Sequence, residues 1–270
     1  MSDAVLVEVT DHVALVTLNR PERKNSMSVD LLDGFRAAMA QLRGDRNVRV
    51  VVITGAGKAF CAGADFSALG KLAELAQARD GQPGGPIANH EALLALYDAF
   101  LTVDTLEVPT IAAINGAAVG GGLGLALLCD LRIVASRAKI GANFARLGIH
   151  PGLGISARLP AIVGEQAAAE MLYTGELIRG ERAAQIGLAL EAVPSEEVLA
   201  RSMELATRIA RSAPLAVRCI KKTLKITTRT DLSALLELEA YAQAKLSQTD
   251  DAREGISAVL TRREPNFEGK

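Results

Sequence analysis

The sequence predicts an α/β protein with a partly parallel sheet in its N-terminal part and helices toward its C-terminus. Three observations carry this. Residues 48–54 form a continuous apolar, β-branched run, the mark of a strand covered on both faces. Residues 110–114 form a second such run, followed by a glycine loop and an apolar helical stretch to about Leu128, the strand–turn–helix rhythm of right-handed crossovers. From Gly154 onward the pattern is almost wholly helical.

In chain order, residues 4–9 and 12–18 are β-rich runs joined at Thr10-Asp11, a hairpin. Ser28 is placed to cap a helix to about Leu42, with Leu31, Leu32, Phe35, Met39 and Leu42 near helical spacing. After the 48–54 strand comes Phe60-Cys61-Ala62-Gly63-Ala64-Asp65, a first glycine loop. A helix is expected over 71–79, and Asp-Gly-Gln-Pro-Gly-Gly-Pro over 80–86 then breaks the chain, which reads as a mobile flap near a pocket. An amphipathic helix follows over 90–103, then the 110–114 strand, the loop Asn115–Gly122 and its helix, and a buried strand over 131–135. The later helices are expected over 165–173, 179–186, 195–211, 214–225 and 231–246. Residues 1–200 therefore carry the core and the pocket, and 201–270 a helical capping or assembly region.

At 270 residues the chain is long enough for one large domain. A net charge of -1 and an aromatic content of 3%, with no Trp, argue against nucleic-acid binding, which favours a basic face and stacking rings. Cys61, Cys129 and Cys219 are widely spaced and form no CxxC pair, so neither a disulfide framework nor a metal site is indicated, and a cytoplasmic location is expected. Cys61 beside the first loop reads either as a nucleophile or as a small buried apolar residue. Residues 111–129 carry no charged side chain, but the stretch is broken by Asn115-Gly116 and reads as a buried strand and helix, not a membrane span.

A strand ending in a glycine-rich turn that opens a helix presents backbone N–H groups with no intrachain partner. Two such loops facing one point form a pocket of donors for an anionic oxygen. The chemical power of the chain is thus expected in its main chain, where no reactive side chain stands out.

The two loops belong to an ordered set of motifs. Leu18-Asn19-Arg20-Pro21 and Asn25-Ser26-Met27 precede them; Pro109 to Gly116, Gly120-Gly121-Gly122 and Cys129-Asp130-Leu131-Arg132 follow. Gly148-Ile149-His150-Pro151-Gly152, Leu172-Tyr173-Thr174-Gly175, Ala184-Gln185-Ile186-Gly187-Leu188 and Glu254-Gly255 complete it. The set resembles the crotonase superfamily, the enoyl-CoA hydratase/isomerase family, over essentially the whole chain. The resemblance implies a spiral of β-β-α units, a homotrimer or dimer of trimers, and acyl- or enoyl-CoA thioesters as ligands. No cofactor is implied beyond the coenzyme A of the substrate. It assigns the backbone N–H groups of Ala64 and Gly121 to an oxyanion hole that holds the thioester oxygen as an enolate forms. Ala62, Asp65, Phe66, Gly120 and Phe144 are implied to line the substrate, with Asp65 a loop-holding carboxylate.

The chain departs from the family in its side chains. Hydratases of the family hold water with two glutamates, whose positions here align with Gly124 and Phe144; an aspartate used by related isomerases and a dehalogenase aligns with Gly152. None of these residues transfers a proton, and no Asp or Glu occurs between Leu131 and Val163. This weighs against two-glutamate hydration. His150 and Tyr97 are the acid/base candidates: His150 for its ordinary pKa near neutrality, or else as a turn-holding residue; Tyr97, where dehalogenase-like relatives carry a histidine, or else as a core tyrosine. His90 shares a helical stripe with Tyr97. Arg146 is expected to pair with Asp130 or to face the acyl tail. For the phosphates of coenzyme A, Arg23 and Lys24 are candidates, with Lys221, Lys222, Lys225, Arg262 and Arg263 as further basic groups. The functional expectation is an acyl-CoA enzyme working through an enolate; the alternatives are a non-catalytic acyl-CoA binding protein, or a thioesterase or decarboxylase.

Overall fold

The computed structural model describes residues 3–64, 86–226, 241–243 and 245–270. Expectations for Asp65, Phe66, the 71–79 helix, the His90 side chain and most of the 80–86 and 231–246 segments lie outside the described residues.

The strands are β1 Val5–Thr10, β2 Val13–Leu18, β3 Val50–Gly55, β4 Ala59–Cys61, β5 Thr110–Ile114, β6 Ala117–Val119, β7 Leu131–Ala135, β8 Lys139–Gly141, β9 Ile178–Arg179 and β10 Glu191–Val193. The principal sheet runs β1-β2-β3-β5-β7-β10. β1 and β2 form the antiparallel hairpin, turning through left-handed Asp11 and His12, and every other pairing in this sheet is parallel. A second sheet, β4-β6-β8-β9, stands beside it. β4, β6 and β8 are parallel neighbours.

The helices are α1 Val29–Gly44, α2 Pro86–Leu101, α3 Gly121–Leu128, α4 Ile155–Val163, α5 Glu165–Thr174, α6 Gly180–Gln185, α7 Val198–Ala210, α8 Pro214–Ile226 and α9 Asp250–Thr261. α1 buries Leu31, Leu32, Phe35, Ala38, Met39 and Leu42, and the Phe35 ring meets Phe100 of α2 edge-on at 5.1 Å. α7 buries Val198, Ser202, Ala206 and Ala210. β3, buried at every residue, is the doubly covered strand its apolar run predicts. Ser28 does occupy the position before α1, but its hydroxyl donates to Asp30 and caps no helix amide. With Arg20, that hydroxyl holds the Asp30 carboxyl below the usual carboxylate range. The uncharged run at 111–129 becomes β5, β6 and α3, and among the described residues no helix is long and apolar enough to cross a membrane.

Lys221 is no free cation for a ligand. It is buried, its Nζ 2.8 Å from Asp130 Oδ2 and 2.7 Å from the Val108 carbonyl. The same Asp130 oxygen accepts the Thr110 amide and hydroxyl. The ion pair ties α8 to the start of β5. Lys221→Ala is expected to lower unfolding stability by about 2 kcal/mol, the scale of hydrogen bonds to charged groups, read by urea denaturation.

Candidate active site

Both glycine loops leave the carboxyl ends of parallel strands, β3 through β4 and β5 through β6, so they emerge side by side. Two asparagine networks stitch them, that of Asn25 buried and that of Asn115 half-buried. The Asn25 amide donates to the Ala56 and Ala59 carbonyls and accepts from the Arg20 N–H. Asn115 donates to the Gly55 and Gly57 carbonyls at 2.7 and 3.0 Å, tying the second loop to the turn that precedes the first. The first loop is also laced to the segment before α1. Ala62 N–H donates to the Lys24 carbonyl at 3.0 Å, and Met27 N–H to the Gly63 carbonyl at 2.8 Å.

Glycine permits the resulting approach. A methyl at Gly63 would lie 2.5 Å from the Val119 carbonyl oxygen and 3.2 Å from the Gly121 nitrogen. A methyl at Gly122 would lie 1.9 Å from the Cys61 carbonyl oxygen. Gly120 takes a positive φ of 56° and donates its N–H to Gly141, which leaves α3 to begin at Gly121. The Gly121 amide is therefore a first-turn donor with no helical acceptor. The Ala64 amide follows Gly63 directly, and its bridge to Met27 uses the Gly63 carbonyl instead. Neither amide has a backbone acceptor among the described residues. The positive end of α3 adds to the field at Gly121. At its other end α3 is closed by Arg132, nearly buried, whose guanidinium donates to the Ala126, Cys129, Asp130 and Leu188 carbonyls.

Among the described residues, the side chains around these amides are mostly apolar. Met27 Sδ lies against Gly121, and the Phe144 ring stands 3.6 Å from the methyl position of Gly120, with Asn143 Oδ1 at 3.7 Å. Leu153 fills the side-chain space of Gly124, its Cβ 2.8 Å from where a Gly124 methyl would stand, and also reaches Gly121. Leu153 does this from a left-handed backbone (φ 56°), strained for a branched residue. The Tyr97 hydroxyl lies on the bare Cα of Gly152. Burial raises the Tyr97 pKa.

The structure thus gathers Ala64, Gly120, Gly121, Phe144 and Tyr97 around one region. His150 sits apart from it. Its ring is exposed, 2.7 Å from the Pro151 carbonyl, at a groove with Pro160, Gln166 and Tyr173 between α4 and α5. Arg23 and Lys24 are exposed beside the first loop, with the Lys24 carbonyl holding Ala62. Arg146 pairs with Glu176 and the Thr174 carbonyl, and not with Asp130, which Lys221 takes. Burial pushes the Cys61 and Cys129 thiols up to about 12, so Cys61 is the small buried residue and not a nucleophile. Among the described residues no group of His, Cys, Asp and Glu is placed to hold a metal ion. Leu153 is a site residue that the sequence did not single out, and Met27, Asn25 and Asn115 stood there only inside motifs, with no role assigned. The two asparagines, each beside a turn, were the only ones with a local signal.

The chain matches the sequence model described as "Enoyl-CoA hydratase/isomerase" over residues 8–270. It is 42% identical over 243 residues to "Probable enoyl-CoA hydratase EchA14" of Mycobacterium tuberculosis, covering 90% of this chain and 88% of the relative. It is 35% identical over 267 residues to a crotonyl-CoA hydratase of Syntrophomonas wolfei, covering 98% of each. Its fold is similar to the crystal structure of an enoyl-CoA hydratase from Bacillus anthracis, with a TM-score of 0.89, 35% identity, and coverage of 99% of this chain and 100% of that one. Two converging glycine loops on parallel strands, and a match from the first hairpin to the last residue, place this chain in the enoyl-CoA hydratase/isomerase family, with the crotonase fold.

Proposed function

We propose that the protein binds an acyl-CoA thioester with its carbonyl oxygen between the Ala64 and Gly121 amides and stabilises the enolate that forms there. The observation that supports this most is the approach of Gly63 to the Gly121 nitrogen, which sets on touching loops two amides that have no backbone acceptor among the described residues. Donors fixed in advance and shielded from water act on charge that develops only in the transition state. Arg23 and Lys24, exposed beside the first loop, are suited to the phosphates of coenzyme A. Hydration by paired carboxylates is disfavoured, because the two aligned positions hold Gly124, whose side-chain space Leu153 fills, and Phe144, a phenyl ring.

The protein acts in a reducing compartment, with Cys61, Cys129 and Cys219 free. It assembles as a trimer or dimer of trimers. Ile256, Val259 and Leu260 on α9, 65–78% exposed, suit burial between subunits.

The test removes one donor. Proline is tolerated in the first turn of a helix and has no N–H. A ring at Gly121 would meet Met27 Sδ at about 2.3 Å, so the substitution is made with Met27→Ala as its background. Gly121→Pro is expected to keep butyryl-CoA binding by calorimetry and to lose turnover by about 100–1000-fold. Undiminished turnover would end this reading. A second reading, a binding protein that carries acyl-CoA, is favoured by the apolar walls. It predicts tight binding of crotonyl-CoA and butyryl-CoA with no consumption of any thioester in a broad panel.

A further inference from the structure

We propose that a cleft at the amino-terminal end of the principal sheet binds a small phosphate-bearing anion, at a site separate from the glycine loops.

The glycine loops leave the carboxyl ends of β3 and β5. The cleft lies at the amino ends of the same strands, about 20 Å away along the length of β3. It encloses about 580 Å³ between the turn from α1 to β3, residues 106–108 before β5, the first turns of α8 and residues 268–270. That is the volume of a small-molecule site.

Its walls are held in place by bonds that the cleft itself does not need. Arg49 donates to the Ala210 carbonyl at 3.1 Å and to the Phe267 carbonyl at 2.6 Å, joining the end of α7 to the tail. The buried Asp251 carboxylate accepts the Glu268 and Gly269 amides at 2.8 and 3.0 Å, and the Lys270 carbonyl accepts the Asp250 amide at 2.9 Å. A methyl at Gly269 would lie 3.2 Å from Pro214 Cγ, so the tail rests on the start of α8. Walls fixed in this way spare a ligand the entropy of ordering them.

The charge is one-sided. Arg43, Arg46, Arg49, Arg218 and Lys270 line the cleft against Asp45, Glu107 and Glu268, in a chain whose net charge is -1. Asp45 accepts the Asn47 amide at 2.8 Å, and Glu268 takes Lys270 at 2.9 Å. Arg43 and Arg46 reach the cleft from the end of α1 and the turn after it, and Arg218 reaches it from α8. The Arg218 Nε is buried, and among the described residues it has no hydrogen-bond partner. An entering anion would supply that acceptor. Pro214 and Leu215 bring the positive end of the 13-residue α8 to the same space.

Guanidinium forks on separate elements do not share the single plane of one carboxylate. The tetrahedral oxygens of a phosphate accept from several directions. Beside the charges, the buried Leu42, Leu106 and Val108 add apolar surface for an organic body. The class of ligand is therefore a phosphate ester or a diphosphate.

The test titrates the full chain with inorganic pyrophosphate by calorimetry at low ionic strength, where screening is weak. The wild type is expected to bind with a Kd of about 1 mM or tighter and to bind malonate more weakly. Arg218→Gln and Arg46→Gln are each expected to weaken pyrophosphate binding about 10-fold, the scale of a lost charged hydrogen bond. Arg46 is exposed, so its replacement leaves the fold intact even if Arg218→Gln lowers the urea midpoint. Failure of the wild type to bind, or undiminished binding by both variants, overturns the proposal. Malonate bound as tightly as pyrophosphate overturns the ligand class. Loss of butyryl-CoA affinity in Arg46→Gln would make the cleft part of the thioester site and overturn its separateness.

Discussion

Gly122→Ala is expected to abolish turnover and to destabilise the fold, although it adds one methyl group and removes no chemical function. That methyl would lie 1.9 Å from the Cys61 carbonyl oxygen and 2.7 Å from its carbon. Both are backbone atoms of β4, so no rotamer change relieves the overlap. The remaining freedom is for α3 to move away from the first loop. The two amides then separate, and a separated pair cannot share one oxygen. Overpacking of a close-packed interior costs typically about 1–3 kcal/mol. The catalytic loss is expected to be larger in effect, at about 100-fold or more, since fixed donors lose their value when displaced. Gly44→Ala is the control. It has nothing within 4 Å of the added methyl, and it is expected to leave both urea midpoint and turnover essentially unchanged. A folded Gly122→Ala protein with full turnover would show that close approach of α3 to β4 is not what makes the site.

The long elements were legible because burial repeats along them. The 48–54 run became a strand buried at every residue, and the spaced Leu31, Phe35, Met39 and Leu42 became the inner face of α1. The second sheet was invisible for the converse reason. β4, β6, β8 and β9 are two or three residues long, too short for any period, and they exist because neighbouring loops pair. β10 was missed similarly: three residues between helices joined the main sheet beside β7.

In the site, glycine after a strand announced the close approach of the two loops, because few other uses of the chain need it. The walls carried no signal. Leu153 and Met27 are ordinary apolar residues whose partners, Gly124 and Gly121, are far away in sequence, and only folding makes them plugs. Arg146 and Lys221 were misjudged for the same reason: the nearest charge in space was not the one the motifs suggested.

The plug formed by Leu153 yields the second large effect, a gain of activity. Gly124→Glu alone is expected to fail as a route to hydration. Its Cβ would stand 2.8 Å from Leu153 Cβ and 2.9 Å from Leu153 Cδ1. Leu153 is buried and held at a φ of 56°, with Gly154 also left-handed after it, so the chain has little freedom to withdraw. The single variant is expected to lose about 1–3 kcal/mol to overpacking, offset in part by about 0.5–1 kcal/mol from replacing a helical glycine. Leu153→Gly changes both terms. It empties the space beside Gly124, and it places at that positive φ the residue that adopts it without strain. Phe144→Glu then supplies the second carboxylate in place of the ring beside Gly120. The triple variant Gly124→Glu/Leu153→Gly/Phe144→Glu is expected to hydrate crotonyl-CoA about 100-fold or more faster than the wild type, the contribution of positioned acid–base groups. Loss of enoyl absorbance and appearance of the 3-hydroxy product measure it. If Gly124→Glu alone hydrates as fast as the triple variant, Leu153 is not the obstacle. If the wild type already hydrates rapidly, the apolar side chains around the donors do not decide which reaction the enolate site performs.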